Sequence, residues 1–454
     1  MTAPSGDTVI SPEAAIAGDP STAEDPSTAG DQSAKGPGAD GHSLGRNSLA
    51  LTVSALLTGV VGLVYWAILG RLYPAREVGA AAAVITTATM LSAFGNFGIG
   101  GLFERFLPLA GIRSRSLVGA GFAVGAVGGL LLGGGFLLLG PTEEMFLHPF
   151  EYWLFPVVVV VFSTFAMLDH TAVALREAGW AAGKNVAHAI VKLVLAAALA
   201  FTASHLAIIW TWTVPALIAA LVLTAMVARR LRTPDYWSAP SQLPPRREIG
   251  NYLAGSYGIY VVSALAPLLL PLIVVSRMGA DANAYFAISW SLVTAVLVLM
   301  TMLMGPYVAA SASSDPTRLY GLTVRFFAIL GAVALSGVLL FAVVAPVMLE
   351  IVGKPYAEQG TPLLRLAAIA LIPATAVAAY TAVARVRRRL RLAVAVQICN
   401  AALILGLSLS LIDEHGLVAL GWAYIVAESV SAVILVVPLT RAVLVMRSES
   451  QSVN

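Results

Sequence analysis

The sequence predicts an all-α polytopic membrane protein, with about twelve transmembrane helices arranged as two six-helix lobes around a central cavity. Three observations predict it. Of the 454 residues, 58% are hydrophobic and 11% charged, against roughly 25% charged in an ordinary soluble domain. A mean hydropathy of +0.85 requires many apolar runs, since a single anchor of about 20 residues could not produce it. Twelve such runs can be read along the chain, and its longest internal polar stretch divides them six and six.

Residues 1–45 precede the first run and are rich in Pro, Gly, Ser, Thr and Ala, with seven acidic residues against Lys35 alone. Such a segment buries too little apolar surface to offset its ordering entropy and is expected to be a disordered cytoplasmic tail. It lacks the basic start and compact apolar stretch of a secretory leader, so no cleavage is expected. The first lobe, 46–228, holds spans near 47–70, 78–102, 116–140, 152–175, 184–203 and 205–228. Each suits a helix crossing roughly 30 Å of hydrocarbon with some tilt. The stretch 229–248, RRLRTPDYWSAPSQLPPRRE, carries five arginines and four prolines and reads as a cytoplasmic linker, either a solvated hinge or a patch for anionic lipid. The second lobe, 249–440, holds spans near 249–275, 284–308, 319–348, 362–384, 391–411 and 417–440, followed by a cytoplasmic tail, 441–454. A barrel would need short alternating strands instead.

The basic residues orient the spans, because cytoplasmic loops carry the Lys/Arg excess. Of 27 such residues, 21 fall on the side of the N-terminal tail; Arg71, Arg76, Arg277, Lys354 and Arg365 fall on the other, and Lys192 lies within a span. Both termini are therefore expected to be cytoplasmic. The halves also resemble each other. NSLALTVSALLTGVVGLVYWAILGRLYPAREVGAAAAVI lies over NYLAGSYGIYVVSALAPLLLPLIVVSRMGADANAYFAISW, and NVAHAIVKLVLAAAL over AVAVQICNAALILGL, which places Lys192 opposite Asn400. Six spans per half make the repeats parallel, related about the membrane normal, an arrangement that encloses a cavity and supports alternating access.

Ionisable groups inside a span are costly and face a bundle interior or a watery cavity by default. Lys184, His188 and Lys192 fall at i, i+4 and i+8 on the fifth span, one basic stripe suited to an anionic headgroup. Lys184 and His188 are equally explained by interface anchoring and by a bond to a neighbouring helix, whereas Lys192 is too deep to snorkel with ease. Asp169 lies near the level of His188 and is expected to pair with His188 or Lys192, as charge neutralisation or as an ion relay. Glu428, mid-span on the twelfth helix, is the other coupling-ion candidate, with a structural hydrogen bond as its alternative. Arg325 and Arg365 each reach inward from an end of a span. Both are able to clamp phosphate oxygens, although Arg365 fits interfacial snorkelling as well. Arg105 guards the cytoplasmic mouth or pairs with Glu104. Headgroup binding is thus assigned to Lys192, His188, Arg325, Arg105, Arg365 and Asn400.

Among the aromatics that could stack on sugar rings, Trp66, Trp210 and Trp212 read first as interfacial belt residues. The glycines of GAVGGLLLGGG permit close helix packing. Cys399 is the single cysteine, and the six histidines show no HExxH or CxxC spacing, so no metal site, catalytic set or cofactor is expected.

The opening hairpin, GRLYPAREVGAAAAVITTATMLSAFGNFGIG followed by FERFLPLAG, resembles the polysaccharide transporter branch of the MOP (multidrug/oligosaccharidyl-lipid/polysaccharide) exporter superfamily, which includes the Wzx-type lipid-linked oligosaccharide flippases. The resemblance extends over about 47–440. It implies a MATE/MOP-like pair of lobes in a bacterial plasma membrane, a host to which the excess of Arg over Lys is suited. It further implies transfer of a polyprenyl-pyrophosphate-linked oligosaccharide between leaflets for cell-surface polysaccharide biosynthesis, with polymerase and glycosyltransferase partners, membrane lipid around it, and no nucleic acid. Related lipid-linked peptidoglycan precursor flippases carry charges within their first, second and eighth helices. Spans 1, 2, 7 and 8 here have uncharged interiors, so anion recognition is expected to rest on Lys192, Arg325 and the mouth arginines.

The chain is expected to be a transporter and not an enzyme. No GxxxxGK[ST] loop is present, and no outer loop is large enough for a polymerase site. The alternative is a MATE-like small-molecule exporter driven by a cation gradient, which calls for an acidic lumen. A major facilitator carrier is disfavoured, because ERFLPLAGIRSRS lacks that family's GxxxDRxGRR pattern.

Overall fold

The computed structural model describes residues 57–234, 238–312, 315–387 and 389–451. The tail expected at 1–45 lies outside the described residues, as do the beginning of the first span and Arg388. Among the described residues the secondary structure is entirely helical.

Helix α1 (Leu57–Leu72) turns into α2 (Ala75–Gly95) at Pro74. Proline disfavours helical geometry in the residue before it and is well placed at a helix start, so it ends one helix and begins the next. The Tyr73 hydroxyl holds this corner by donating to the Ala196 carbonyl (2.9 Å). The small residues Ala80–Ala83 on α2 are all buried, which lets α2 occupy the centre of the structure.

The second span was expected to continue to residue 102, but α2 stops at Gly95. Phe97 and Gly98 adopt left-handed backbone (φ 47° and 72°), and a separate short helix, Ile99–Phe106, follows. The GNFG sequence supplies the turn, because glycine takes positive φ without a Cβ clash. Helix α3 (Ser114–Leu139) buries Gly121, Gly125, Gly128, Gly129 and Gly133. A Cβ on Gly128 would stand 2.4 Å from the Gly95 carbonyl oxygen, so the glycine stripe does permit close helix packing.

Helices α4 (Glu151–Ala174), α5 (Ala178–Ala198) and α6 (His205–Arg230) complete the first half. The Ser204 side chain caps α6 by accepting from the Leu206 amide (3.3 Å). The stretch after α6 is pinned down where a solvated hinge was one expectation. The Ile112 amide donates to the Ala239 carbonyl (2.9 Å) and the Gln242 amide to that of Leu109 (2.8 Å), while Leu243 packs on the apolar cluster around Phe103 and Phe106.

Arg246–Met302 is one long helical stretch broken at Gly279 (φ 83°, ψ 178°), which separates α7 (246–278) from α8 (280–302). Then come α9 (Pro316–Leu339), a π-helical turn at Leu340–Val344 and the short helix Ala345–Val352. Helices α10 (Lys354–Val386), α11 (Arg391–His415) and α12 (Val418–Gln451) end the chain. The last helix runs to Gln451, so most of the stretch expected as a tail from 441 continues α12. Among the described residues ten continuous segments are long and apolar enough to cross a membrane. Dividing α7 from α8 and adding the shorter α1 reproduces the twelve predicted helices.

The halves meet along α2. At the arginine-poor end the Asn283 amide of α8 donates to the Gly79 carbonyl (2.8 Å). Towards the arginine-rich end the Tyr257 hydroxyl of α7 donates to the Phe94 carbonyl (2.9 Å). One apolar core, including Tyr65, Phe286 and Phe341, spans both halves.

Candidate functional site

A cavity of about 560 Å³ lies between α1 of the first half and α7 and α8 of the second. Trp66, Trp212, Phe286, Trp290 and Thr294 form part of its wall, and among the described residues Lys192 is the one charged residue lining it. The wall is otherwise apolar, with aromatic faces from both halves. Trp66 and Trp212 therefore serve as cavity residues where belt positions were expected; Trp210 is exposed.

The basic stripe on α5 divides into groups with different roles. Lys184 is buried, donates to the Phe165 carbonyl (2.6 Å), pairs with Asp169 Oδ1 (3.0 Å) and lies over the Phe165 ring. His188 is buried with Nε2 3.1 Å from the Trp212 carbonyl. Pro215, in the same turn of α6, lacks an amide proton, which loosens the local backbone ladder there. Lys192 is 7% exposed and sits 3.6 Å from the Trp212 ring centroid and 5.0 Å from that of Tyr65. Among the described residues no carboxylate forms an ion pair with it. Burial of a cation among aromatic faces is favoured by the ring quadrupole and leaves its donors available to an anion.

Because α5 begins at Ala178, Lys192 lies about 21 Å along the helix from the arginine-rich end. This depth also corrects the expected partner of Asp169. The carboxylate sits about one and a half turns from the arginine-rich end of α4, the level that Lys184 occupies on the antiparallel α5. Asp169 consequently pairs with Lys184, and Asn185 donates to its other oxygen (3.2 Å). His188 and Lys192 lie deeper and are not its partners.

Asn400 of α11 and Glu428 of α12 come together in the second half, away from Lys192. Asn400 adjoins Glu428 and donates to Ser431 Oγ (3.0 Å). Glu428 Oε2 is buried without a hydrogen-bond partner among the described residues. One turn away, Tyr424 packs edge-on against the cavity residue Trp290, with ring centroids 4.8 Å apart.

Arg105 lies at the arginine-rich end, with its guanidinium 4.7 Å from the Tyr252 ring of α7. Its neighbour Glu104 bonds His170 Nδ1 (2.7 Å) instead of Arg105. Arg325 and Arg365 are exposed on α9 and α10, and neither lines the cavity. Of the cavity residues Phe286, Trp290 and Thr294, Trp290 is among the span aromatics that the sequence marks as able to stack on a sugar ring, whereas Phe286 and Thr294 carry no such signal. The spacing of four that relates all three along α8 marks one helix face, but an apolar span offers no contrast to show that the face is special.

No protein-family model and no curated protein sequence matches the chain. Solved structures do. The chain is similar to the MATE multidrug transporter DinF-BH in complex with R6G, at 15% identity and a TM-score of 0.60, covering 88% of this chain and 95% of that one. It is similar to an inward-facing MATE family transporter of the MOP superfamily (14%, TM-score 0.55, 88% and 99% covered). A third is a MOP superfamily transporter from Pyrococcus furiosus, described as having a binding pocket of reverse polarity that suggests a different function (13%, TM-score 0.55, 88% and 96% covered). At these identities the likeness is one of fold, the polytopic all-α architecture of MATE-type transporters.

Proposed function

We propose that the protein is a membrane transporter that flips a polyprenyl-pyrophosphate-linked oligosaccharide from the cytoplasmic to the outer leaflet of a bacterial plasma membrane, for cell-surface polysaccharide biosynthesis. The observation that carries this reading is Lys192, a buried cation that among the described residues has no carboxylate partner and supplies the only charge on the wall of the cavity between the halves. A pyrophosphate needs a cation, and a sugar suits aromatic faces such as Trp66, Trp212 and Trp290. Both termini are cytoplasmic in this reading, by the arginine distribution, and the polymerase and glycosyltransferases that handle the same glycan are its partners.

Outward movement of the headgroup down an inside-negative potential releases roughly 2.3 kcal/mol per charge per 100 mV. A dianion gains about 4–5 kcal/mol on that basis, so no nucleotide is required. The two halves supply the rocking elements, and α2, packed on both α7 and α8, is the surface along which they move.

A second reading, a small-molecule exporter driven by a cation gradient, is favoured by one observation: Glu428 Oε2, without a hydrogen-bond partner among the described residues, with Tyr424 in contact with the cavity wall. Reconstitution separates the two. Purified protein in liposomes with a fluorescent polyprenyl-pyrophosphate oligosaccharide is treated with an impermeant reductant, and the quenched fraction is followed. Exchange above that of empty liposomes, suppressed in Lys192→Ala, supports flipping. Exchange no greater than in empty liposomes, with or without an imposed potential, moves the exporter reading to first place.

A further inference from the structure

At the arginine-poor end of the first half, four side chains from three separate stretches of the chain converge. His148 Nδ1 lies 3.1 Å from Glu151 Oε1. His205 Nε2 lies 2.9 Å from the same oxygen. The remaining nitrogen of His205, Nδ1, lies 3.0 Å from Glu77 Oε2, which also accepts from the His205 amide (2.7 Å). The two imidazoles are nearly parallel, 14° apart with centroids at 5.6 Å. Glu151 is only 2% exposed, and its second oxygen, Oε2, is buried with no hydrogen-bond partner among the described residues.

We infer that His148, Glu151 and His205 form a binding site for a divalent transition metal of the zinc class. Their ligand atoms all lie within 4.8 Å of one another. Around an ion with bonds of about 2.1 Å, tetrahedral donors stand about 3.4 Å apart, so the two nitrogen–oxygen separations, 3.1 and 2.9 Å, need to open by only a few tenths of an ångström. Two imidazole nitrogens and a carboxylate suit zinc, cobalt or nickel better than the hard cations, which prefer all-oxygen sets.

Three features argue that the cluster is more than a buried hydrogen-bond network. Metal-bound histidines commonly donate their other ring nitrogen to a carboxylate, and Glu77 stands in that position behind His205. Second, His205 faces a carboxylate through each nitrogen, so with Nδ1 held by Glu77 its Nε2 is already aimed at the Glu151 oxygen that would share the ion. An ion would displace the proton held between these two atoms, and that proton passes to the buffer. Third, Glu151 presents a second oxygen that nothing else uses, although an unsatisfied buried carboxylate oxygen is costly. His148 has a half-exposed side chain and gives the ion a route in from solvent. The ion would tie α4 and α6 together through Glu151 and His205, with Glu77 extending the network to α2. The spacing hides this site from a linear reading, because only His148 and Glu151 are close in sequence.

The test uses the full chain in nanodiscs after treatment with a chelator. Zinc is titrated in competition with a chromophoric chelator, and cobalt is followed by its visible absorption. The expected result is one ion per chain, tetrahedral-type cobalt bands, and release of about one proton, read from the buffer dependence of the binding enthalpy. His148→Ala, at a half-exposed position, is expected to fold normally yet lose affinity at least 30-fold. Glu77→Gln is expected to lose about 10–100-fold, as outer-sphere carboxylates do. His170→Ala, in the exposed His170–Glu104 pair, serves as the control and is expected to bind as the parent does. Absence of stoichiometric binding in the parent, or affinity unchanged in His148→Ala, overturns the proposal.

Discussion

The ammonium of Lys192 rests 3.6 Å from the ring centroid of Trp212, on the wall of the cavity between the two halves. A desolvated cation–π contact stabilises by about 2 kcal/mol, enough to hold the side chain in place without neutralising it. Lys192→Ala is therefore expected to lower headgroup exchange at least 10-fold, about 1.4 kcal/mol in the barrier. Lys192→Arg is expected to retain most of it. Trp212→Leu is expected to fall between them, because it leaves the charge but removes the platform. Initial rates in proteoliposomes check the order, and equal rates in all three variants would refute it.

Lys184, two turns away, is predicted to act in stability. Its buried ammonium has Asp169 as its ion-pair partner, and the carboxylate is about a third exposed. Removing one partner of a buried pair costs about 3–5 kcal/mol, whereas replacing both by apolar groups is often neutral. Asp169→Asn is expected near the low end, about 3 kcal/mol, and Asp169→Leu with Lys184→Met is expected to recover most of that loss. Apparent melting temperatures in detergent measure both.

The contrast between these two lysines shows what the sequence conveyed. The polytopic all-α architecture and the glycine-permitted approach of α3 to α2 follow from composition and spacing, because each depends on runs of one residue type. Depth is harder to read. The charged stripe on α5 was legible, but its register depends on where the helix starts, and Ala178, Gly179 and Trp180 look no less like a loop than a first turn. Which side of a wholly apolar helix faces a cavity leaves no trace in periodicity, so Phe286 and Thr294 give no sign of the cavity they share with Trp290. The positive φ at Phe97 and Gly98 ended α2 early through local backbone chemistry that hydropathy does not register.

Close packing of α2 on α8 predicts a conformational effect. A Cβ on Gly79 would lie 1.6 Å from the Ala280 carbonyl oxygen, a backbone atom that cannot turn aside. Gly79→Ala is expected to force the halves apart at the arginine-poor end and to break the Asn283–Gly79 hydrogen bond. With Cys399→Ser as background, Cys introduced at Ala284 is expected to react with an impermeant maleimide several-fold faster in the Gly79→Ala protein. An unchanged rate would show that the contact is not what closes this end.

Exposure separates the arginines from the cavity. Arg325 and Arg365 stand on outward faces of α9 and α10, and neither lines the cavity. At such positions a guanidinium reaches the lipid headgroups and interacts little with cargo between the halves. Arg325→Ala and Arg365→Ala are each expected to change the exchange rate by less than about twofold, since surface substitutions are usually within about 0.5 kcal/mol. A tenfold loss in either would return that arginine to the substrate path.

Glu428 separates the two functional readings. Its Oε2 is buried without a hydrogen-bond partner among the described residues, and the ring of Tyr424, one turn earlier, touches the cavity residue Trp290. A carboxylate so placed either binds a coupling cation and transmits its occupancy to the wall through Tyr424, or serves the packing of α12 on α11 through Asn400. Glu428→Gln preserves the shape and removes the charge. If a cation gradient drives transport, the variant is expected to lose the acceleration that an imposed sodium or proton gradient gives the parent, with little change in exchange at equilibrium. If the membrane potential alone drives a dianionic headgroup, the variant is expected to respond to an imposed potential as the parent does, and the parent is expected to ignore the ion gradient. The readout is the ratio of rates with and without each gradient in the same proteoliposomes. Because the ratio is internal to each variant, a folding defect that lowers both rates together leaves the distinction intact.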